Sequence, residues 1–307
     1  TGKSVPYLDA LFTATTSVCV TGLVTLPTVS TWSLFGQIVI LVLIQIGGLG
    51  FIAIVSGLMI LLTRRMGIAH KLLIQDAFNL NTMEGLSKFI RNVLLGTLFI
   101  EALGAALCMT VFVPQFGTRG IWISVFHSIS AFCNAGIDIF AENSLCDYAT
   151  NPIINTVTSA LIILGGIGYI VWWDVLRVVR SGAIKKGHFW CHLTLHSKIA
   201  IAASAILIFG GGLLILLCEF NNPATIGDMS FFDKIQVSFF QSVTTRTAGF
   251  ASVPQENLRD TTSVISMAMM LVGGSPVGTA GGIKTVTLAV LIASAISTVK
   301  GKSEVGM

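Results

Sequence analysis

Charge is scarce in this chain. Only 10% of its 307 residues are Asp, Glu, Lys or Arg, against about 25% in a soluble globular domain. That shortage excludes an ordinary water-soluble domain, and no nucleic-acid partner is expected. Six cysteines (19, 108, 133, 146, 191 and 218) form no Cys-x-x-Cys pair and show no metal-site spacing, so no cofactor is expected. Cys108 and Cys218 lie in apolar stretches and read as inert fillers. No cleavable signal peptide is visible. What is abundant is apolar: 53% of residues are hydrophobic, with mean hydropathy +0.85. The expected fold class is an all-α membrane protein.

The chain is organised around a short stretch near its start, Ser17-Val18-Cys19-Val20-Thr21-Gly22. Residues 7–16 before it can form a helix of two or three turns, too short for a bilayer, which needs about 20 residues. A short helix, a polar strand ending in glycine and then a long apolar segment reads as a re-entrant pore hairpin. Such backbone survives at membrane depth only where protein buries it or where it lines a watery path.

The same layout recurs at 125–136 and 239–249. Phe12, Phe126 and Phe239 each lie ten positions before the glycine, and Cys19, Cys133 and Arg246 three before it. Gly22, Gly136 and Gly249 are spaced by 114 and 113 residues. Glycine clusters follow each hairpin: Gly47-Gly48-Leu49-Gly50, Gly165-Gly166-Ile167-Gly168, and Gly273-Gly274 onward. A period held to one residue marks a repeated unit. The expected units are 1–70, 71–185 and 186–307, each a pore hairpin with its flanking helices around a central ion pore. For the glycine clusters alone, close helix packing is an equal alternative.

Long spans are expected at 33–62, 93–113, 153–175, 199–218 and 263–299. Thr63-Arg64-Arg65 ends the first in a basic stop, and 66–92, with His70 and Lys71, reads as a surface helix. Twelve of the eighteen Lys and Arg then fall inside and four outside, which puts all three hairpins at the outer face of a plasma membrane. Nine acids share that outer side, and a negative mouth concentrates cations. His188, His192 and His196 are spaced to align on a helix, but a solvated loop entering a helix explains them better than a metal or pH-sensing site.

A cation crossing lipid must trade its water shell for other oxygens, and backbone carbonyls in an extended strand supply them. The candidates are Val20-Thr21-Gly22-Leu23, Asn134-Ala135-Gly136-Ile137 and Thr247-Ala248-Gly249-Phe250. No acidic side chain lies in these strands, which favours a monovalent ion. Short-helix C-termini carry about half a negative charge each and would aim at it. Arg246 is expected to brace the third hairpin against an outer carboxylate.

The order of these parts, with Ser242-Val243-Thr244-Thr245-Arg246-Thr247-Ala248-Gly249-Phe250, resembles the Trk/Ktr/HKT superfamily of cation transporters, nearest the KtrB-type membrane subunits of bacterial potassium uptake. The resemblance covers the whole chain. It implies a pore of four non-identical repeats with one filter glycine each, potassium as substrate at the filter carbonyls, and Gly22, Gly136 and Gly249 as the first three glycines. Glycine at the first position goes with potassium there, and serine with sodium preference. It also implies a homodimer on a KtrA-like cytosolic ring of nucleotide-binding subunits. The chain opens almost directly on a pore helix and has no fourth hairpin, so it is expected to be a piece of a longer protein.

Gly273-Gly274-Ser275-Pro276-Val277-Gly278-Thr279-Ala280-Gly281-Gly282 cannot form a regular helix, because five glycines and a proline cost several kcal/mol. The resemblance implies an intramembrane gate loop; a kinked helix is the alternative. Val277 replaces a family glycine, so that position is expected not to need positive φ. Lys284 reads equally as an intramembrane functional cation or as a snorkelling lysine. Glu101 has no evident partner. Two rivals are weighed. An enzyme would need a catalytic pair, but the His127-Ser128 neighbours have no counterpart in the other repeats. A secondary transporter with broken helices would favour inverted repeats. A sodium/potassium co-conducting HKT-like transporter is a further variant.

Overall fold

The structure, a computed structural model, describes residues 5–50, 54, 72, 86–141, 143–182 and 189–301. The basic stop at 63–65, nearly all of the surface helix before residue 86, Glu142, Lys185, Lys186, His188 and Lys302 lie outside the described residues. Among those described there are twelve α-helices and no strand, only an isolated bridge between Val272 and Ile283.

The order is α1 (Tyr7–Cys19), a single turn α2 (Thr28–Thr31), α3 (Leu34–Leu49), α4 (Leu86–Phe116), α5 (Thr118–Phe132), α6 (Pro152–Gly166), α7 (Tyr169–Arg180), a turn α8 (Phe189–His192), α9 (Leu195–Glu219), α10 (Phe231–Thr244), α11 (Asp260–Leu271) and α12 (Thr285–Val299). Hydroxyl and amide caps start several of them. Ser33, Asn151, Thr194 and Ser230 each accept a backbone N–H from the first turn, satisfying donors the helix cannot.

α4 and α9 are long and apolar enough to cross a membrane, and α6 with α7 forms a third, broken candidate. The 25 residues of α9 extend about 38 Å. Its Ile206, Phe209, Leu213 and Leu217 are exposed, as are Leu95, Leu98 and Phe99 of α4; apolar side chains facing outward suit lipid, not water. The short helices α5 and α10 pack along α4 and α9 respectively, and α1 packs on α3. Phe112, Phe126, Phe132, Phe240 and Phe250 are fully buried between them.

The expected spans 33–62 and 153–175 are not single helices. α3 stops at Leu49 with Gly50 at φ 82. α6 stops at Gly166, Gly168 takes φ 93, and α7 leaves at 99° to α6. A residue in that φ region cannot continue a right-handed helix, so the glycine clusters end helices as well as admit neighbours.

Candidate functional site

The three hairpins share one turn. The residue two before each glycine is left-handed: Val20 at φ 53, Asn134 at φ 57 and Thr247 at φ 65. The glycines follow at φ 75 for Gly22, φ 66 for Gly136 and φ 84 for Gly249. Sequence reasoning reserved positive φ for glycine and missed the earlier residue. Asn is tolerated there, but a β-branched Val or Thr is a genuine outlier, so the surrounding structure must hold it.

These turns meet. A Cβ built on Gly22 would lie 2.6 Å from the Ala135 carbonyl oxygen. One built on Gly136 would lie 2.5 Å from the Ala248 oxygen and 2.8 Å from the Gly249 Cα. Residues more than a hundred positions apart thus lie backbone to backbone, where only glycine fits. Ala135, Ile137, Ala248 and Phe250 are buried, whereas Thr21 and Leu23 of the first segment are exposed.

The expected extended strands are instead irregular segments that start at left-handed residues, and a hydroxyl on each short helix holds the segment that follows. The Thr16 Oγ1 accepts the Leu23 N–H at 3.1 Å. The Ser130 Oγ accepts the Ile137 N–H at 3.1 Å and donates to the Ile137 carbonyl at 2.6 Å. The Thr244 Oγ1 donates to the Phe250 carbonyl at 2.6 Å. Repeated Ser and Thr were visible in the sequence, but the third hydroxyl is one place out of register, which hid the pattern. The left-handed side chains point at glycines further on. Val20 reaches Gly47, Asn134 lies beside Gly166, and the Thr247 Oγ1 accepts the Gly281 N–H at 3.0 Å.

The 273–282 segment is a loop, not a kinked helix. Gly273 N–H donates to the Ile283 carbonyl and Thr285 N–H to the Gly274 carbonyl, closing its base. Its far side docks on the α6–α7 break. Ser275 N–H donates to the Gly166 carbonyl at 2.8 Å, Thr279 N–H to Gly165 at 3.0 Å, and Tyr169 N–H to Val277 at 3.0 Å. The Pro276 carbonyl covers Gly168, where a Cβ would lie 2.4 Å from it; Gly278 and Ala280 pack against Gly165 and Gly166, and Gly282 against Gly273. Val277 sits at φ 60. The expectation that valine marks a position free of positive φ is therefore wrong: docking on both sides imposes the turn despite the branched side chain.

Arg246 also departs from expectation. It is buried, and its guanidinium donates to the Gly273 carbonyl at 3.4 Å. Among the described residues it meets no carboxylate; the sole ion pair there joins Arg177 to Asp174. Lys284 folds back on the Ala280 carbonyl at 2.6 Å. Glu101 is buried mid-helix and accepts from Gln45. His127 bonds Thr158 and Ser128 bonds the Glu101 carbonyl, so the two are not aimed at each other. Among the described residues no His, Cys, Asp and Glu cluster could hold a metal. Beyond the second strand, burial pushes the Asp138 carboxyl up to about 7, against hydrogen bonds from Ser144 and Ala141 that lower it.

The family described as "TrkH: Cation transport protein" matches residues 1–306. The potassium/sodium uptake protein NtpJ of Enterococcus hirae is 40% identical over 98% of this chain and 65% of its own length. The Ktr system potassium uptake protein B of Bacillus subtilis is 36% identical over 99% of this chain and 66% of its own length. The chain thus spans just under two thirds of these relatives. The crystal structure of the potassium transporter TrkH from Vibrio parahaemolyticus shares the fold, with a TM-score of 0.74 at 15% identity, over 97% of this chain and 56% of that one. With a family match running almost end to end on a helical fold shared with a solved transporter, this chain belongs to the TrkH family of cation transport proteins.

Proposed function

We propose that this chain forms three of the units of a potassium-conducting pore that carries the ion across the plasma membrane. The observation that carries the reading is the meeting of Gly22, Gly136 and Gly249. A bare ion entering hydrocarbon meets a cost of order tens of kcal/mol, and converging peptide oxygens offset it without a fixed charge. The units are 1–70, 71–185 and 186–307, with the filter carbonyls at 20–23, 134–137 and 247–250. The hairpins open to the outer face, where the nine outer acids raise the local cation concentration. The resemblance implies a fourth unit from the rest of the full-length protein, and the exposed edge at Thr21 and Leu23 is free to receive it.

In this reading the 273–282 loop lies across the path below the filter and moves to admit ions. Arg246 supports it from above without entering the filter, where a cation would repel potassium. The outward apolar faces contact lipid, and the chain passes the membrane several times. A homodimer on a cytosolic nucleotide-binding ring follows from the resemblance. A second reading, conduction of sodium as well, draws on the printed name of the Enterococcus relative; glycine at position 22 favours potassium.

The test is rubidium uptake by liposomes holding the full-length protein. Gly136→Ser and Gly249→Ser, checked for intact folding by gel filtration, should lose most uptake or admit sodium. Uptake and selectivity unchanged in both variants would sink the filter.

A further inference from the structure

α4 carries a carboxyl where a membrane helix can least accommodate one. Glu101 is 4% exposed and has no cation partner among the described residues. Its two oxygens both accept from a single nitrogen, Gln45 Nε2, at 3.1 Å each. One amide N–H₂ compensates a full negative charge poorly, and an ionisable side chain at membrane depth without a counter-ion is a functional candidate by default.

The other end of that amide faces the filter. Gln45 Oε1 accepts from the Cys133 Sγ at 3.8 Å. Cys133 caps α5 and is followed directly by the left-handed Asn134 of the second strand. It cannot retreat: the space beside Gly48 is filled by Cys133, whose Sγ and Cβ lie 2.5 and 2.6 Å from where a Gly48 Cβ would stand. The Asn134 carboxamide is 1% exposed with neither end hydrogen-bonded, so its side chain adds no competing tie. The Glu101 backbone carbonyl holds α5 as well, through the Ser128 hydroxyl at 2.7 Å.

We propose that Glu101 is a proton-binding site that positions the second filter strand through Gln45 and Cys133. With Glu101 ionised, Gln45 donates its N–H₂ to the carboxylate and its oxygen receives the thiol S–H. With Glu101 protonated, the carboxyl O–H needs an acceptor. The amide then turns over, its oxygen takes the Glu101 O–H, and its N–H₂ points at the Cys133 sulfur. The side-chain outline is unchanged, because an amide and its flipped form are isosteric, but the hydrogen bond at Cys133 reverses its sense. The titratable groups facing Glu101 are Cys133 and Tyr169, which adjoins Thr97. α3 and α6 present none, His127 of α5 turns to Thr158, and Asp174 of α7 turns to Thr194.

The proposal rests on the potassium-pore reading, so the experiment has an arm independent of transport. In infrared difference spectra of the full-length Asp138→Asn protein between acid and alkaline pH, a protonated-carboxyl C=O band should appear and be missing once Glu101→Gln is added, the first substitution removing the other buried carboxyl that titrates in this window. In liposomes, with Asp138→Asn as background to silence the outer mouth, the rubidium-to-sodium uptake ratio should change across about pH 5 to 9, which brackets documented buried glutamates. The expected change is about fivefold or more, the low end of coupling between sites. Glu101→Gln should hold the ratio at its acid value at every pH. Should that variant not fold, Cys133→Ala decides: it should keep the infrared band and lose the pH dependence. A ratio flat with pH before any further substitution, a wild-type band in Glu101→Gln, or pH dependence surviving in Cys133→Ala overturns the proposal. Absence of any rubidium uptake with the band intact counts against the pore reading instead.

Discussion

The Thr279 hydroxyl donates to the Phe132 carbonyl at 2.9 Å, joining residues 147 positions apart. Phe132 ends α5, one residue before the proposed filter segment 134–137. Thr279 is the middle of the loop proposed to gate the pore. The helix terminus has carbonyls without helical partners, and this one is satisfied by the loop. The position of the loop and the end of α5 are therefore tied by one contact.

Replacing that hydroxyl tests the link. Thr279→Val keeps the shape and strands the buried Phe132 carbonyl, at about 1–3 kcal/mol. Part of that cost falls on the docked loop, which should release more readily. Rubidium uptake should rise while the melting temperature falls. Both quantities unchanged would show that the hydrogen bond holds nothing.

Val277 offers an inversion of a general rule. At ordinary positions alanine outranks glycine, which loses about 0.5–1 kcal/mol to chain entropy. At φ 60 an L-residue with a Cβ is strained by about 1–2 kcal/mol. Val277→Gly should therefore melt higher than Val277→Ala, since both lose the two γ-methyls that pack against the core and differ only in the Cβ that carries the strain. Comparing these two variants, instead of each with valine, separates strain from burial. Alanine above glycine would show that the loop relaxes its φ once the branched side chain is gone.

The hairpins were legible because three glycines keep one period and composition repeats around them. Their meeting point was not, since nothing in a linear pattern says that Gly22 abuts Ala135. Composition likewise could not separate a glycine that admits a neighbour from one that turns the chain: Gly165 and Gly168 read alike, yet only Gly168 has positive φ. The Arg246 partner was misjudged because a buried cation calls for a carboxylate by default, whereas one peptide oxygen of Gly273 meets it here. Glu101 and Gln45 lie 56 positions apart, and no local spacing links them.

Glu219 closes the C-terminal end of α9 with no counter-ion among the described residues. Its carboxylate accepts from Asn222 Nδ2 at 2.6 Å, Thr225 Oγ1 at 2.7 Å, the Arg259 N–H at 3.0 Å and the Thr262 hydroxyl. The last two tie the start of α11 to the end of α9. An acceptor ringed by donors cannot exchange for an amide without turning an N–H₂ toward another donor. Glu219→Gln should cost about 2–3 kcal/mol, seen as a lower melting temperature. Faster hydrogen exchange should be confined to residues 220–229 and the first turn of α11. Unchanged exchange there would show that the apolar contacts of Ile226 and Val237 hold the corner unaided.

Asp138 gives stability a pH dependence of definite sign. Burial raises its carboxyl to about 7, well above the roughly 3.9 of an unfolded chain. Between those values the folded protein keeps a proton that the unfolded chain has released. Stability therefore falls as pH rises from about 4 to about 7, and the contribution of this group is level beyond that. Asp138→Asn cannot titrate, so its melting temperature should fall less over that window and exceed wild type at about pH 8. Melting curves of the full-length protein in detergent at several pH values measure both. A variant with the wild-type slope would mean that Ser144 and Ala141 hold the carboxylate ionised throughout, with hydrogen bonding outweighing burial.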